Sequence, residues 1–176
     1  MANVNSPNGF TPAYHMSGGT IRPSEFAIAS ATNASIFSGD VVNLSSGYVI
    51  QGTATGTPLG VFAGVEYQAT DGSVVFSNQW VADTATLGSA DAKAYVYADP
   101  DIVYEAQSSA TPTQATIGTT NTITTTAGNS STGRSKEAVT ATTSSGIALV
   151  HGFVDRPDNS IGQYARMYVL FPASVF

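Results

Sequence analysis

The chain has 176 residues, of which 42% are hydrophobic and only 10% charged, and 12 acidic against 6 basic side chains leave a net charge of -6. That length suits one domain with a core of its own, and with charge far below the usual share of about 25%, solubility rests on Thr, Ser, Asn, Gln and backbone amides, as in extracellular and virion proteins. Cysteine is absent, which excludes disulfides and thiolate metal sites; no basic cluster favours nucleic acid as a partner, and no apolar run approaches the roughly 20 residues of a membrane span.

Residues 1–24 contain "NSPNGFTPAYHMSGGTIRPS", in which Phe10, Tyr14, Met16 and Ile21 stand isolated among Pro, Gly and Asn. Neither helical nor strand periodicity fits, so the segment reads as an extended N-terminal arm with spaced anchors. The opening "MANVNSPNGF" lacks the basic start and apolar stretch of a secretory signal, so an extracellular destination is expected by another route, such as lysis. Residues 25–176 alternate short Val, Ile, Tyr and Phe stretches with Gly, Asp and Ser, the pattern of a single β-rich domain. Strands are expected near 25–30, 40–44, 47–52, 59–67, 73–82, 93–98, 101–107, 121–126, 136–143, 147–154 and 164–171. "SSG" at 45–47 and "TDG" at 70–72 read as turns in which Gly accepts positive φ. "TLGSADAK" at 86–93 offers one helical turn capped by Ser89, and Gly88 stops anything longer. Many strands with little helix predict an all-β fold, a β-sandwich or barrel-like domain behind the arm.

Residues 105–152 hold no aromatic side chain after Tyr104, and their middle reads "IGTTNTITTTAGNSSTGRS". The Thr-rich alternation favours extended backbone, so the segment is either an exposed hairpin turning at "AGNSSTG" or an irregular loop.

"AYVYADPDIVYEAQ", residues 94–107, carries Asp99, Asp101 and Glu105. In a strand, Asp101 and Glu105 stand about 13 Å apart at roughly 3.3 Å per residue, whereas paired glycosidase carboxylates lie about 5 to 9.5 Å apart. Pro100 fixes its own φ and keeps Asp99 out of helix, so "ADPDI" reads as a connection between strands. Calcium is the competing reading of these acids, but the alternating acidic loop with a central Gly and terminal Glu is missing. His15 and His151 form no zinc motif, no Gly-x-Ser-x-Gly marks a nucleophile, and Lys93 and Lys136 lack a Gly-rich lead. No enzyme is expected; a hydrolase would require a dispersed triad around His151. Trp80 is expected to be partly buried, in the core or at an interface, and Asp155, Arg156 and Asp158 to brace a turn around Pro157 locally.

In succession, "NSPNGFTPAYHMSGGTIR", "GDVV", "PLGVFAGVEY", "AYVYADPDIVYEAQ", "AGNSSTGRS" and "VDRPDNSIGQYARMYVL" resemble the head decoration, or cement, proteins of tailed bacteriophages over nearly the whole chain. The region 109–127 is the least similar part. The resemblance implies a structural protein of the virion that attaches to the outer surface of the capsid and stabilises the shell. Its partners would be the major capsid protein and copies of itself, most often as a homotrimer, with no cofactor, metal, nucleic acid or membrane. On that reading the arm residues Phe10, Tyr14, Met16 and Ile21 are the candidate capsid-binding anchors. The alternative is a carbohydrate- or receptor-binding component of the tail.

Overall fold

The protein was analysed as a computed structural model, which describes residues 3–141 and 146–176. Its strands, in chain order, are β1 (Thr11–His15), β2 (Ser24–Ile28), β3 (Ile36–Phe37), β4 (Val41–Ser45), β5 (Tyr48–Gln51), β6 (Gly60–Gln68), β7 (Val74–Ser77), β8 (Gln79–Trp80), β9 (Ala92–Tyr97), β10 (Ile102–Gln107), β11 (Thr120–Asn121), β12 (Ile123–Thr124), β13 (Ala138–Val139), β14 (Ala148–Phe153) and β15 (Arg166–Leu170). The fold is all-β, as the succession of short strand patterns predicts. Five strands make one antiparallel sheet in the order β1-β10-β15-β14-β11. Six more make a second sheet, β4-β5-β2-β9-β6-β7, in which β4 also pairs with β6 and so closes a five-stranded, barrel-like ring.

Closure depends on how β6 divides its edge. Gly60 and Val61 pair with β4, while Val65 to Gln68 pair with β7. Gly60 allows this because a Cβ there would lie 2.0 Å from the Tyr97 carbonyl oxygen of β9. Side chains alternate across a strand, so neighbours in β4 and β6 enter different cores. Val42 and Phe62 fill the ring with Ile28, Leu59, Val96 and Trp80. Val41 and Val61 face the five-stranded sheet, where they meet Phe10, Tyr104, Met167 and Phe171.

The "ADPDI" connection is a turn, as expected, but it carries the chain from one sheet to the other, since β9 and β10 belong to different sheets. Asp99 Oδ1 accepts from the Asp101 N–H at 2.9 Å, and the Asp99 carbonyl accepts from Ile102. Both expected Gly turns occur. Ser46 and Gly47 at φ 50° and 87° join β4 to β5, and Asp71 and Gly72 close the β6–β7 connection, with the Ser73 N–H donating to Asp71.

Several expectations require correction. The strand over 73–82 breaks at Asn78, because β8 leaves the sheet to pair with β3, and the Asn78 carbonyl accepts from Ser38 while its amide donates to Thr132. The strand over 121–126 breaks at Thr122, where pairing passes from β14 to β13. Of the strand expected over 136–143 only Ala138–Val139 forms, and residues 142 and 143 lie outside the described residues. Ser89 caps nothing: it sits within the 3-10 turn Leu87–Ser89, and the preceding Thr86 uses its hydroxyl on Ser30 and Ala90. Trp80 is fully buried rather than partly, edge-on to Tyr67 at 5.5 Å. The Thr-rich segment is a hairpin in part: β12 pairs with β13 and Asn129 bridges Arg134. It packs inward, with Ile123 and Val139 in the core.

Candidate interaction surface

The N-terminal segment is stitched along β10 by polar side chains. Asn3 donates to the Ser160 and Gln163 carbonyls and accepts from the Ser160 N–H. Gln107 accepts from the Ser6 N–H and donates to the Val4 and Tyr164 carbonyls, so both polar atoms of its buried amide are bonded. Phe10 then drops into the core, 1% exposed and edge-on to Phe171 at 5.2 Å. β1 follows with a register shift: Pro12 faces Tyr104, Tyr14 faces Val103, and Ala13 between them is unmatched. The Met16 N–H donates to the Asp101 carbonyl and ends the ladder.

These contacts divide the four anchor residues. Phe10 is core and Ile21 is half-buried against the same cluster, whereas Tyr14 and Met16 remain 39% and 54% exposed. Tyr14 lies edge-on to Tyr168 of β15 at 5.4 Å. β1 is an edge strand, so beside this aromatic pair it presents backbone groups with no further strand among the described residues.

Ionisable groups border the patch. His15 Nε2 lies 3.0 Å from Asp99 Oδ2, and the Ser17 N–H donates to His15 Nδ1, which places the ring proton on Nε2. That bond, helped by the Asp101 N–H, holds the Asp99 carboxyl below its usual range. Ligand atoms of His15, Asp99 and Asp101 lie within 4.8 Å of one another, so the two acids read together in the sequence gain a histidine from the arm. Three donors fall well short of the six to eight oxygens calcium takes. Glu105 Oε1 receives Arg156 and Arg166, the latter at 3.3 Å. Arg156 therefore braces β10 and not its own loop; Asn159 holds that loop instead, through the Val154 and Arg166 backbones. His151 is solvent-facing at a register shift in β14 and is not brought to any of these acids.

Sequence reading missed a second group of acids, in the interior. Asp40 and Glu137 are 1% and 0% exposed. Asp40 Oδ2 accepts from the Phe37 N–H, and Glu137 Oε2 accepts from the Val41 N–H, both at 2.8 Å. Burial pushes the Asp40 carboxyl up to about 6. Burial, and then the neighbouring Asp40 charge, pushes Glu137 up to about 9. The only sequence signal was position, each acid lying directly before an apolar pair, in "DVV" and "EAV".

No family model, curated protein or solved structure matches the chain. A functional reading therefore rests on the chemistry of the surface itself.

Proposed function

We propose that the protein is a structural component of a phage virion, binding the outer surface of the capsid and stabilising the shell. The observation that supports this reading is the open edge at β1, where Tyr14 and Met16 are exposed and, among the described residues, no further strand pairs with the backbone. An edge of this kind accepts a strand from a partner through main-chain hydrogen bonds, with neighbouring side chains supplying selectivity. Phe10 and Ile21 contribute by fixing the edge to the core. A homotrimer suits the role, because a symmetric oligomer grips several subunits of a repeating shell and linked contacts multiply affinity through effective concentration.

The test is co-sedimentation of the purified protein with expanded shells that lack it. The reading predicts saturable binding, weakened at least tenfold in a Tyr14→Ser/Met16→Ser double variant; absence of wild-type binding contradicts it. The Tyr14–Tyr168 pair also offers an aromatic face of the type that stacks on sugars. Glycan binding without shell binding would select the carbohydrate- or receptor-binding reading.

A further inference from the structure

Asp40 and Glu137 meet at the seam between the two sheets. Glu137 Oε2 accepts from the N–H of Val41, the residue that follows Asp40, while Asp40 Oδ2 accepts from the Phe37 N–H, so the two carboxylates flank the same β3–β4 corner. Each commits one oxygen to a backbone N–H, and the other, Asp40 Oδ1 or Glu137 Oε1, is buried without a hydrogen-bond partner. Two orphan acceptors cannot satisfy each other, and two adjacent buried negative charges are costly. Among the described residues no cation pairs with either of them. Arg134 and Lys136, which flank Glu137 in sequence, are both exposed, and the segments 8–12 and 60–63 packed at the seam carry no ionisable side chain. Ser135 lies between the two acids: its hydroxyl hydrogen-bonds the Asp40 carboxyl and its oxygen accepts from the Glu137 N–H, so it adds a bond to Asp40 but no charge.

We propose that Asp40 and Glu137 share one proton, carried on Glu137 Oε1 and donated to Asp40 Oδ1, and that this bond is a pH-sensitive clasp between the β3–β4 corner and the start of β13. One proton turns two orphan acceptors into a donor and an acceptor. The N-terminal segment is seated on the same clasp. The Phe10 N–H donates to the Gly39 carbonyl, and Gly9, at φ 69°, packs so closely that a Cβ would lie 2.4 Å from Ser135 Cβ. The two orphan oxygens are too few for a calcium site, which takes about six to eight ligands, so a proton is the partner the geometry favours. The clasp is a property of the isolated chain and does not depend on what the surface binds.

Both carboxyls hold their protons to higher pH in the folded chain than in the unfolded one. The folded state therefore binds more protons, and stability from the pair falls as pH rises: across two protons until Asp40 ionises near 6, then across one until Glu137 ionises near 9. The other resolved shifts act outside this window, since Asp71 and Asp99 are lowered and Tyr95 and Tyr104 raised.

The experiment is denaturant unfolding of the full chain from pH 6 to 9 at high salt, for wild type and Glu137→Gln. One linked proton predicts that the wild-type unfolding constant rises by up to about tenfold per pH unit. Glu137→Gln should be nearly flat, because its amide donates to Asp40 without titrating. A flat wild type, or an unchanged slope in the variant, overturns the proposal. Should the variant fail to fold, difference infrared spectroscopy of wild type at pH 7 decides: a neutral carboxylic acid band supports the clasp, and its absence overturns it. Stabilisation by added calcium, with loss of the pH slope, would also overturn it in favour of a bound cation.

Discussion

Phe10 and Tyr14 are four residues apart on either side of Pro12, yet one is a core plug and the other a surface ring. The difference lies in the unmatched Ala13, which shifts the side-chain alternation between them. Their substitutions should therefore separate stability from binding. Phe10→Ala removes a buried aromatic from between Phe171 and the sheet and should cost about 3–5 kcal/mol in urea unfolding; a cost below about 1 kcal/mol would show that the segment is not part of the core. Tyr14→Ser and Met16→Ser expose no cavity and should each change stability by only about 0.5 kcal/mol. Glu105→Gln loses attraction to two partly exposed arginines and should cost about 1 kcal/mol or less by the same measurement. At this scale the sequence was a partial guide. Turn acids such as Asp99 and Asp71 were legible because Pro100 fixes the backbone beside one and Gly72 accepts positive φ beside the other. Gln107, Asp40 and Glu137 were not, because polar side chains in β-rich sequence are ordinarily outward-facing and their partners lie as far as 103 residues away.

Among the elements, β1 was the one the pattern concealed. Its alternation is interrupted by the register shift, and its stitching comes from Asn3 and Gln107 and not from apolar periodicity. The hairpin β4–β5 was legible because Ser46 and Gly47 form the two-residue turn itself. Strand ends at Asn78 and Thr122 were hidden, because there the chain changes sheets and only the pairing partner reveals it. The placement of β1 bears on truncation. Deleting residues 2–22 removes a strand of the five-stranded sheet together with Phe10, so the shortened chain should unfold at markedly lower urea than wild type. Loss of shell binding in that variant would not isolate the edge, whereas the Tyr14/Met16 double variant would. Hydrogen exchange gives the complementary reading: the amides of residues 10 and 16, bonded to Gly39 and Asp101, should be protected in the free protein. Rapid exchange at both would mean that the segment is ordered only on a partner.

For the molecule as a whole, the two sheets share a seam that, among the described residues, contains buried acids and no buried base, which sets an unusual pH dependence. Asp99 and Asp71, held low by hydrogen bonds, contribute stability that is lost as pH falls below the ordinary carboxylate value of 3.8. Asp40 and Glu137 lose theirs in the opposite direction. The stability profile should therefore peak on the acid side of neutrality and decline toward pH 9. Surface repulsion in a chain of net charge -6 also grows with pH, but salt screens it, whereas the buried pair is screened far less. The two sheets have open edges at β1 and β7, the latter exposing Val74 and Phe76, so the proposed shell contact at β1 would leave β7 free for a second contact. The most direct test of the central proposal is electron cryo-microscopy of expanded shells, lacking this protein, after incubation with the purified chain. The account predicts symmetric density on the outer face with β1 at the contact; bare shells at saturating protein would contradict it.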